Sequence, residues 1–462
     1  MMKKTYLIYL LSTAFAFGGC SENFLDQELP LNMEENDIYS SPERIESTVR
    51  GLYAALKNSS SNSFLGGVSY LVFDNRGDDI VNVSSNLNTL YATYTMQVNS
   101  TSTENSTTWS NAYGAINKAN IFLEKIEGAK ELIPDEYERY RQEALFVRAL
   151  AYFYLNNLYS QPYLLDENAK SVPLRLMAEQ SAENNGMPRS TVKQVYEQIL
   201  TDLTDISALP DADLSEEGTT RATKGAANML KMRVYMAMGN WNKAIEVGNE
   251  VKGYSLVNDF SSLFKAPYYT SETIFSFPMQ TNNTPNTQQS LAEFYGDSQI
   301  ILIDVENGIM SKNGYSEDSD QRLSFKNSDN TLTKFTDMRT KLDWVPIFRY
   351  AETLLNLAEC YANLEGSSNQ EQAKSYLKQV RHRSLDEASD PLNIDGMTDD
   401  ALKEAIKNER RLEFIGEGIR GLDIIRRGES FVQGTRTTTP SDNGYIWPIP
   451  QSEQLINTEL NK

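Results

Sequence analysis

Asn408-Glu-Arg-Arg-Leu-Glu-Phe-Ile-Gly-Glu-Gly-Ile-Arg-Gly-Leu-Asp-Ile-Ile-Arg-Arg-Gly428 is the stretch from which the rest of the chain is read. Apolar residues recur at helical spacing through Leu402, Ala405, Leu412 and Ile415. The pattern pauses at Gly416 and Gly418 and resumes at Ile419, Leu422 and Ile425, so two helices meet at a glycine-rich joint. Glu409 falls on the apolar stripe of the first helix. A carboxylate there has to meet a cation such as Arg410, Arg411 or Arg420 in the packed state. Buried ion networks are more often structural than catalytic, so Glu409 is read as part of the scaffold.

Outward from this joint the chain reads as successive helices. Ser41-Pro42-Glu43 marks a helix start, with Ser41 as N-cap and Pro42 at the first helical position, and Ile45, Val49, Leu52 and Leu56 on one face. Further apolar faces run through Tyr113, Ile116, Asn120 and Leu123, and through Ala144, Val147, Ala151, Tyr154 and Leu158. Others follow Val192 to Ile206 and Ala227 to Ala237, where the turn Met238-Gly239-Asn240 opens a helix holding Trp241, Ala244 and Ile245. Ala351 to Ala362 and Ala373 to Val380 make another pair, and Thr398 is placed to cap the helix that leads into the opening stretch. Helix pairs joined by short turns look like tetratricopeptide units, here without a strict repeat length. The expected fold is mainly α: a tetratricopeptide-like helical-repeat scaffold with long irregular loop insertions and little β.

Two stretches break the helical period. Ser59 to Ser110 is rich in Ser, Thr and Asn and reads as loop. Ser255 to Trp344 is the second; Ile274–Phe277 alternates like a strand there and Gln299–Val305 reads as another. The division expected is a leader over 1–19, an N-terminal helical region over 20–254 and a C-terminal region over 255–462.

Composition narrows the function. A net charge of −20 over 462 residues repels phosphate backbones, which sets nucleic acid aside. With only two cysteines, in unlike contexts, and one histidine, His382 between Arg381 and Arg383, the chain offers neither a disulfide framework nor a His/Cys metal cluster. Cys360 reads as a small buried residue. No required cofactor and no metal site is expected; the Asp-rich loops leave calcium open, although no twelve-residue calcium loop pattern is present. Asp78-Asp79 would suit a hydrolase, but adjacent carboxylates are common in a chain with 63 acidic residues.

Residues 1–19 combine Lys3 and Lys4, an apolar run from Tyr6 to Phe17, and Gly18-Gly19 before Cys20. That is an export leader, too short for a comfortable membrane span. Small residues ahead of a cysteine resemble a lipoprotein processing site, with Cys20 as the acylated first residue of the mature chain. Two or three acyl chains, each contributing about 0.8 kcal/mol per buried CH₂, would hold it firmly on a membrane.

Several motifs converge on one family. Glu409, Arg410, Arg411, Glu413, Phe414, Glu417, Gly418, Arg420, Asp423 and Arg426 occupy a pattern that resembles the C-terminal signature of the SusD/RagB family. Arg349-Tyr-Ala-Glu352, Tyr445-Ile-Trp-Pro-Ile-Pro450, Glu143–Ala149 and Ile116–Asn120 are similar to further family segments. The resemblance implies a non-catalytic, lipid-anchored binding protein at the outer membrane. It also implies that an oligosaccharide, or alternatively a peptide, is handed to a SusC-like TonB-dependent outer-membrane transporter.

Flat aromatics and forked polar groups suit a sugar's apolar face and hydroxyl rim. The two irregular stretches supply Tyr70, Tyr91, Tyr94, Tyr295, Tyr315 and Trp344 as candidate stacking residues, with Asn75, Arg76 and Asp78 as candidate polar contacts. A glycoside hydrolase using two carboxylates, and a repeat adaptor that binds only protein, are the alternatives from other classes. Fatty-acid labelling in cells tests the anchor. Label that disappears in Cys20→Ala is the expected result, and an unlabelled wild type would contradict it.

Overall fold

The computed structural model describes residues 38–58, 64–181, 186–285, 289–296, 300–460 and 462. The leader and Cys20 lie outside these residues. Helix α1 (Pro42–Lys57) begins as its sequence dictates, with Pro42 in the first turn and the Ser41 hydroxyl accepting from the Arg44 amide at 3.4 Å. It is followed by α2 (Val68–Asn75), α3 (Thr103–Lys125), α4 (Tyr137–Tyr159) and α5 (Val192–Asp202). Then come α6 (Lys224–Ala237), α7 (Trp241–Gly248), α8 (Tyr350–Ala362), α9 (Ser367–Ser384), α10 (Asp399–Glu413) and α11 (Ile419–Arg427).

Neighbours in sequence pack on one another: α3 on α4, α4 on α5, α6 on α7 and α8 on α9, with α7 and α10 closing against α8. This is the mainly α, tetratricopeptide-like architecture. The α6–α7 turn works as its residues suggest: Gly239 takes φ +70° and the Asn240 side chain accepts from the Lys243 amide at 3.3 Å. Helix α4 is buried on every side from Ala144 to Tyr159, and the one charge in that run, Arg148, is paired to Asp202 at 2.6 Å.

Among the described residues the strands form three antiparallel pairs: β1 (Ile80–Asn82) with β3 (Ile301–Ile303), β2 (Thr273–Phe277) with β4 (Val345–Arg349), and β5 (Phe431–Gln433) with β6 (Arg436–Thr438). The 299–305 strand is thus only three residues long. All of β2 is buried, because Tyr53 and Phe146 cover Phe275 while Phe348 lies beside it.

Three local expectations are corrected. The 59–110 stretch is not all loop: α2 forms within it and α3 already begins at Thr103. Thr398 occupies the N-cap position of α10, but its side chain makes no capping bond. Glu409 is met by Arg322 and, at 3.0 Å, by Arg381, not by its neighbours. Successive helix positions turn away by about 100°, which carries Arg410 to Asp423 at 2.7 Å and Arg411 to Asp79 at 2.7 Å. Arg420, on the next helix, takes Asp78 at 2.6 Å.

The joint between α10 and α11 uses Gly416 at φ +80° and Gly418 at φ +67°, which leads into close contact with α2. A Cβ at Gly421 would stand 2.2 Å from the Phe73 carbonyl oxygen. That contact explains why α2, unmarked by any helical pattern, is held as a helix. Gly421→Ala is expected to lower unfolding stability by about 1–3 kcal/mol through overpacking, read from the denaturant midpoint. A wild-type midpoint would refute the tight crossing.

Candidate functional site

The second insertion brings three rings together outside the helical body. Tyr268, at φ +65°, turns the chain back ahead of β2 and lays its ring on Trp344, with centroids 6.0 Å apart and planes inclined by 20°. The Tyr269 ring lies 6.0 Å from the same indole at 35°. Non-glycine residues rarely adopt positive φ without surrounding support, and Lys341, at φ +56°, provides a second such turn just before Trp344.

The support is polar. Tyr268 donates its hydroxyl to Asp343 at 3.1 Å, and the other Asp343 oxygen accepts from the Asp337 amide at 2.8 Å. Asp337 in turn accepts from the Thr340 amide at 2.8 Å and the Leu342 amide at 3.0 Å. Lys341 pairs with Glu293 at 3.1 Å. Burial raises the Asp343 carboxyl's pKa and, with the adjoining Asp343 charge, that of the Tyr268 phenol. The result is a braced aromatic group: Tyr268 and Tyr269 are half-buried, and Trp344, 9% exposed, backs them.

The sequence candidates divide sharply. Trp344 belongs to this group. Tyr91 and Tyr94 form a second, partly exposed pair with centroids 6.5 Å apart; the Arg436 guanidinium lies 5.3 Å from the Tyr94 ring and donates to the Tyr94 carbonyl at 2.9 Å. Among the described contacts none joins the two groups.

The others are committed to the interior. Tyr70 is buried and donates to the Pro346 carbonyl at 2.6 Å. Tyr295 donates to Asp74 at 2.8 Å and stacks on Phe335, and Tyr315 donates to the Ala405 carbonyl at 3.2 Å. Asn75 is fully buried and accepts from Asn82 at 3.2 Å. Arg76 is also fully buried, lies 4.4 Å from the Phe431 ring centroid and donates to the Tyr445 carbonyl. Asp78 is bound by Arg420 and, at 3.1 Å, by Arg411. Burial raises its pKa, yet the two guanidiniums outweigh burial and hold the carboxyl below its usual range. In this structure these six side chains are packing and ion-pair residues: their faces are covered, and although Asn75 Nδ2 and Arg76 Nε and Nη1 make no hydrogen bond, both residues are fully buried.

Tyr268 and Tyr269 were the residues that spacing does not single out. An adjacent Tyr pair is the only local signal; its partner Trp344 is set by the fold. Elsewhere, the cleft of about 580 Å³ between α3 and the C-terminal segment has Tyr113, Asn117, Asn120, Arg175 and Glu453 on its walls. Their polar atoms already bond one another or the backbone, as in Tyr113 to the Pro173 carbonyl at 2.7 Å and Asn117 to the Glu179 carbonyl at 2.8 Å. Among the described residues, no group of three His, Cys, Asp or Glu side chains is arranged to hold a metal ion. No described helix is long and apolar enough to cross a membrane.

Comparison with known proteins agrees at both ends of the chain. Residues 23–236 match the family described as "Starch-binding associating with outer membrane", and residues 275–462 match the SusD family. A SusD superfamily protein from Bacteroides fragilis is 61% identical, with a TM-score of 0.90, over 92% of this chain and 100% of its own. SusD-like protein P25 of Formosa agariphila is 25% identical over 99% of this chain and 98% of its own length. Surface glycan-binding protein A from Bacteroides thetaiotaomicron shares the fold, with a TM-score of 0.71 at 19% identity over 91% of this chain and 98% of its own.

In the interior, burial pushes the Asp74 carboxyl's pKa up to about 7, although the Gly418 amide and Tyr295 hydroxyl both donate to it. The folded chain therefore keeps Asp74 protonated at pH values where the unfolded chain, with an ordinary aspartate pKa of about 4, ionises it. The stability it contributes is complete below about pH 4 and is lost as pH rises to about 7. Measured against Asp74→Asn, wild type should lose up to about 1.4 kcal/mol per pH unit across that window and hold steady above it. A difference independent of pH would contradict the assignment.

Proposed function

This chain belongs to the SusD/RagB family, and we propose that it captures an oligosaccharide at the cell surface on the Tyr268–Tyr269–Trp344 group, without cleaving it. The braced aromatic group is the observation that carries this reading. Sugar rings expose apolar C–H faces that flat aromatics cover, and rings already held in place lose little freedom when a ligand arrives. The "Starch-binding" description of the family matching residues 23–236, and the fold shared with a surface glycan-binding protein, favour a saccharide over a peptide.

The carboxylates favour capture over hydrolysis. Asp78 and Asp79 are engaged by Arg411 and Arg420, and Glu409, Glu413 and Glu417 are buried in ion pairs, which leaves none of these five poised as a proton donor to a glycosidic oxygen. Within this reading a lipid on Cys20 keeps the protein at the outer membrane, and the captured ligand passes to a SusC-like TonB-dependent transporter.

Titration calorimetry of the mature protein against panels of oligosaccharides and peptides, with chromatography of the mixtures afterwards, tests the proposal. Saturable saccharide binding without products is expected, and Tyr269→Ala should weaken it about tenfold or more, equivalent to about 1.4 kcal/mol. Its melting temperature should stay near that of wild type, since the ring is half-exposed. Cleaved saccharide, binding confined to peptides, or wild-type affinity in Tyr269→Ala would each overturn the assignment.

A further inference from the structure

An open cleft of about 580 Å³ runs between α1, the short helix Glu216–Thr220 and the turn that follows β2. Gly51, Ala54, Phe277 and Pro278 give it apolar walls, and Lys57, the last residue of α1, lines it while only 4% exposed. Its size suits a sugar ring. The cleft adjoins the aromatic group through strand register: Phe277 of β2 pairs with Val345 of β4, so Pro278 and Trp344 leave the ribbon at the same end.

Lys57 donates to the Pro278 carbonyl at 2.9 Å and to the Asn283 carbonyl at 3.1 Å. An ammonium carries three N–H groups, so one is left over. Among the described residues no carboxylate pairs with it, and burial, unopposed by any neighbouring charge, lowers its pKa to about 8.

The other charges around the cleft are matched or lie in water. Arg50 takes Glu46 at 2.8 Å and Glu217 at 3.2 Å, while Arg221 takes Glu143 at 2.7 Å and Glu217 at 2.9 Å. Behind them Arg139 pairs with Glu136 at 2.5 Å and approaches Glu143 at 3.9 Å, and Tyr53 donates to Glu143 at 2.7 Å. Glu216 and Glu217 are exposed at the rim, where solvent and salt screen them. The turn 278–283 bears no ionisable side chain. Lys57 is thus the buried charge of this cleft that has no counter-ion among the described residues, a costly arrangement while the cleft stays empty.

Gly51 adds a second, independent feature. It lies in the middle of α1, where glycine costs a helix about 1 kcal/mol relative to alanine, and a Cβ there would meet nothing within 4 Å. The bare backbone keeps the cleft open on the side of α1.

We propose that this cleft takes an acidic sugar, a uronate, whose carboxylate accepts from the third N–H of Lys57 while its ring lies against Gly51 and Pro278. Water could satisfy that N–H, but only an anion supplies the missing counter-charge. The inference rests on the saccharide reading above and narrows it: the oligosaccharide laid on the Tyr268–Tyr269–Trp344 group carries a uronic acid unit at its Pro278 end.

Calorimetry of the mature protein with D-glucuronate and with D-glucose tests it. Glucuronate should bind about tenfold or more tightly than glucose, and its affinity should fall about tenfold between about pH 7 and about pH 9, as Lys57 loses its proton while the ligand stays ionised. Gly51→Phe, which fills the open space and keeps Lys57, should abolish the preference without lowering the melting temperature, and Lys57→Met should abolish it as well. Equal affinity for the two sugars, binding of neither, a glucuronate affinity independent of pH, or an undiminished preference in Gly51→Phe would each overturn the site. Should Lys57→Met fail to fold, Gly51→Phe and the wild-type pH profile decide the matter. The two readings fail separately: a ring group that captures nothing shows as neutral oligosaccharides without affinity, whereas a cleft that takes no uronate shows as neutral oligosaccharides bound with glucuronate no better than glucose.

Discussion

Glu413 sits at the centre of the structure's main constraint. It is fully buried, receives Arg383 at 2.6 Å and Arg349 at 3.1 Å, and lies 3.4 Å from Arg322. Burial alone would raise its pKa, but the three guanidiniums hold the carboxyl well below the usual range. Glu409, four residues back, is shared by Arg322 and Arg381, and Glu417, four residues on, by Arg349 and Lys334. One helix end thereby fastens segments from four other parts of the chain. Such a lattice is weak evidence for net stability, because desolvation opposes the pairing. It is strong evidence for geometry, because removing any one member strands a buried charge at a cost of about 3–5 kcal/mol.

This lattice is what connects the scaffold to the candidate site. Arg349 ends β4, and Trp344 immediately precedes that strand. Arg322 and Lys334 come from the irregular insertion itself, so the loop that leads to Asp337, Asp343 and Trp344 is anchored to α10 by Arg322 and to the end of α10 and the joint after it by Lys334. An insertion with little secondary structure of its own can present braced rings only because its charged residues are fixed elsewhere. Loops carry recognition and the scaffold positions them, and here the fastening between the two is ionic.

The 408–428 stretch was readable because its helical period breaks at glycines and because a glutamate on an apolar stripe demands a cation. Its partners were not readable. Arg410 and Arg411 are nearest in sequence, yet helix geometry turns them towards Asp423 and Asp79, and the cations that reach Glu409 come from positions 322 and 381. Helix α2 was hidden for a related reason, since Tyr70, Leu71, Val72 and Phe73 are buried in succession rather than on one face and it is held by contact with α11. In the same way, the Tyr-rich composition of the insertions pointed to recognition but could not separate Tyr295, buried on Asp74, from Tyr269, half-exposed beside Trp344.

Hydrogen–deuterium exchange on Glu413→Gln, compared with wild type, tests most directly whether the ion lattice positions the site. The account predicts that protection falls together in α10, in the 320–344 segment and in β4, so that the backbone around Trp344 exchanges faster although it is remote in sequence from the substitution. Faster exchange confined to α10, with the 320–344 segment as protected as in wild type, would contradict it.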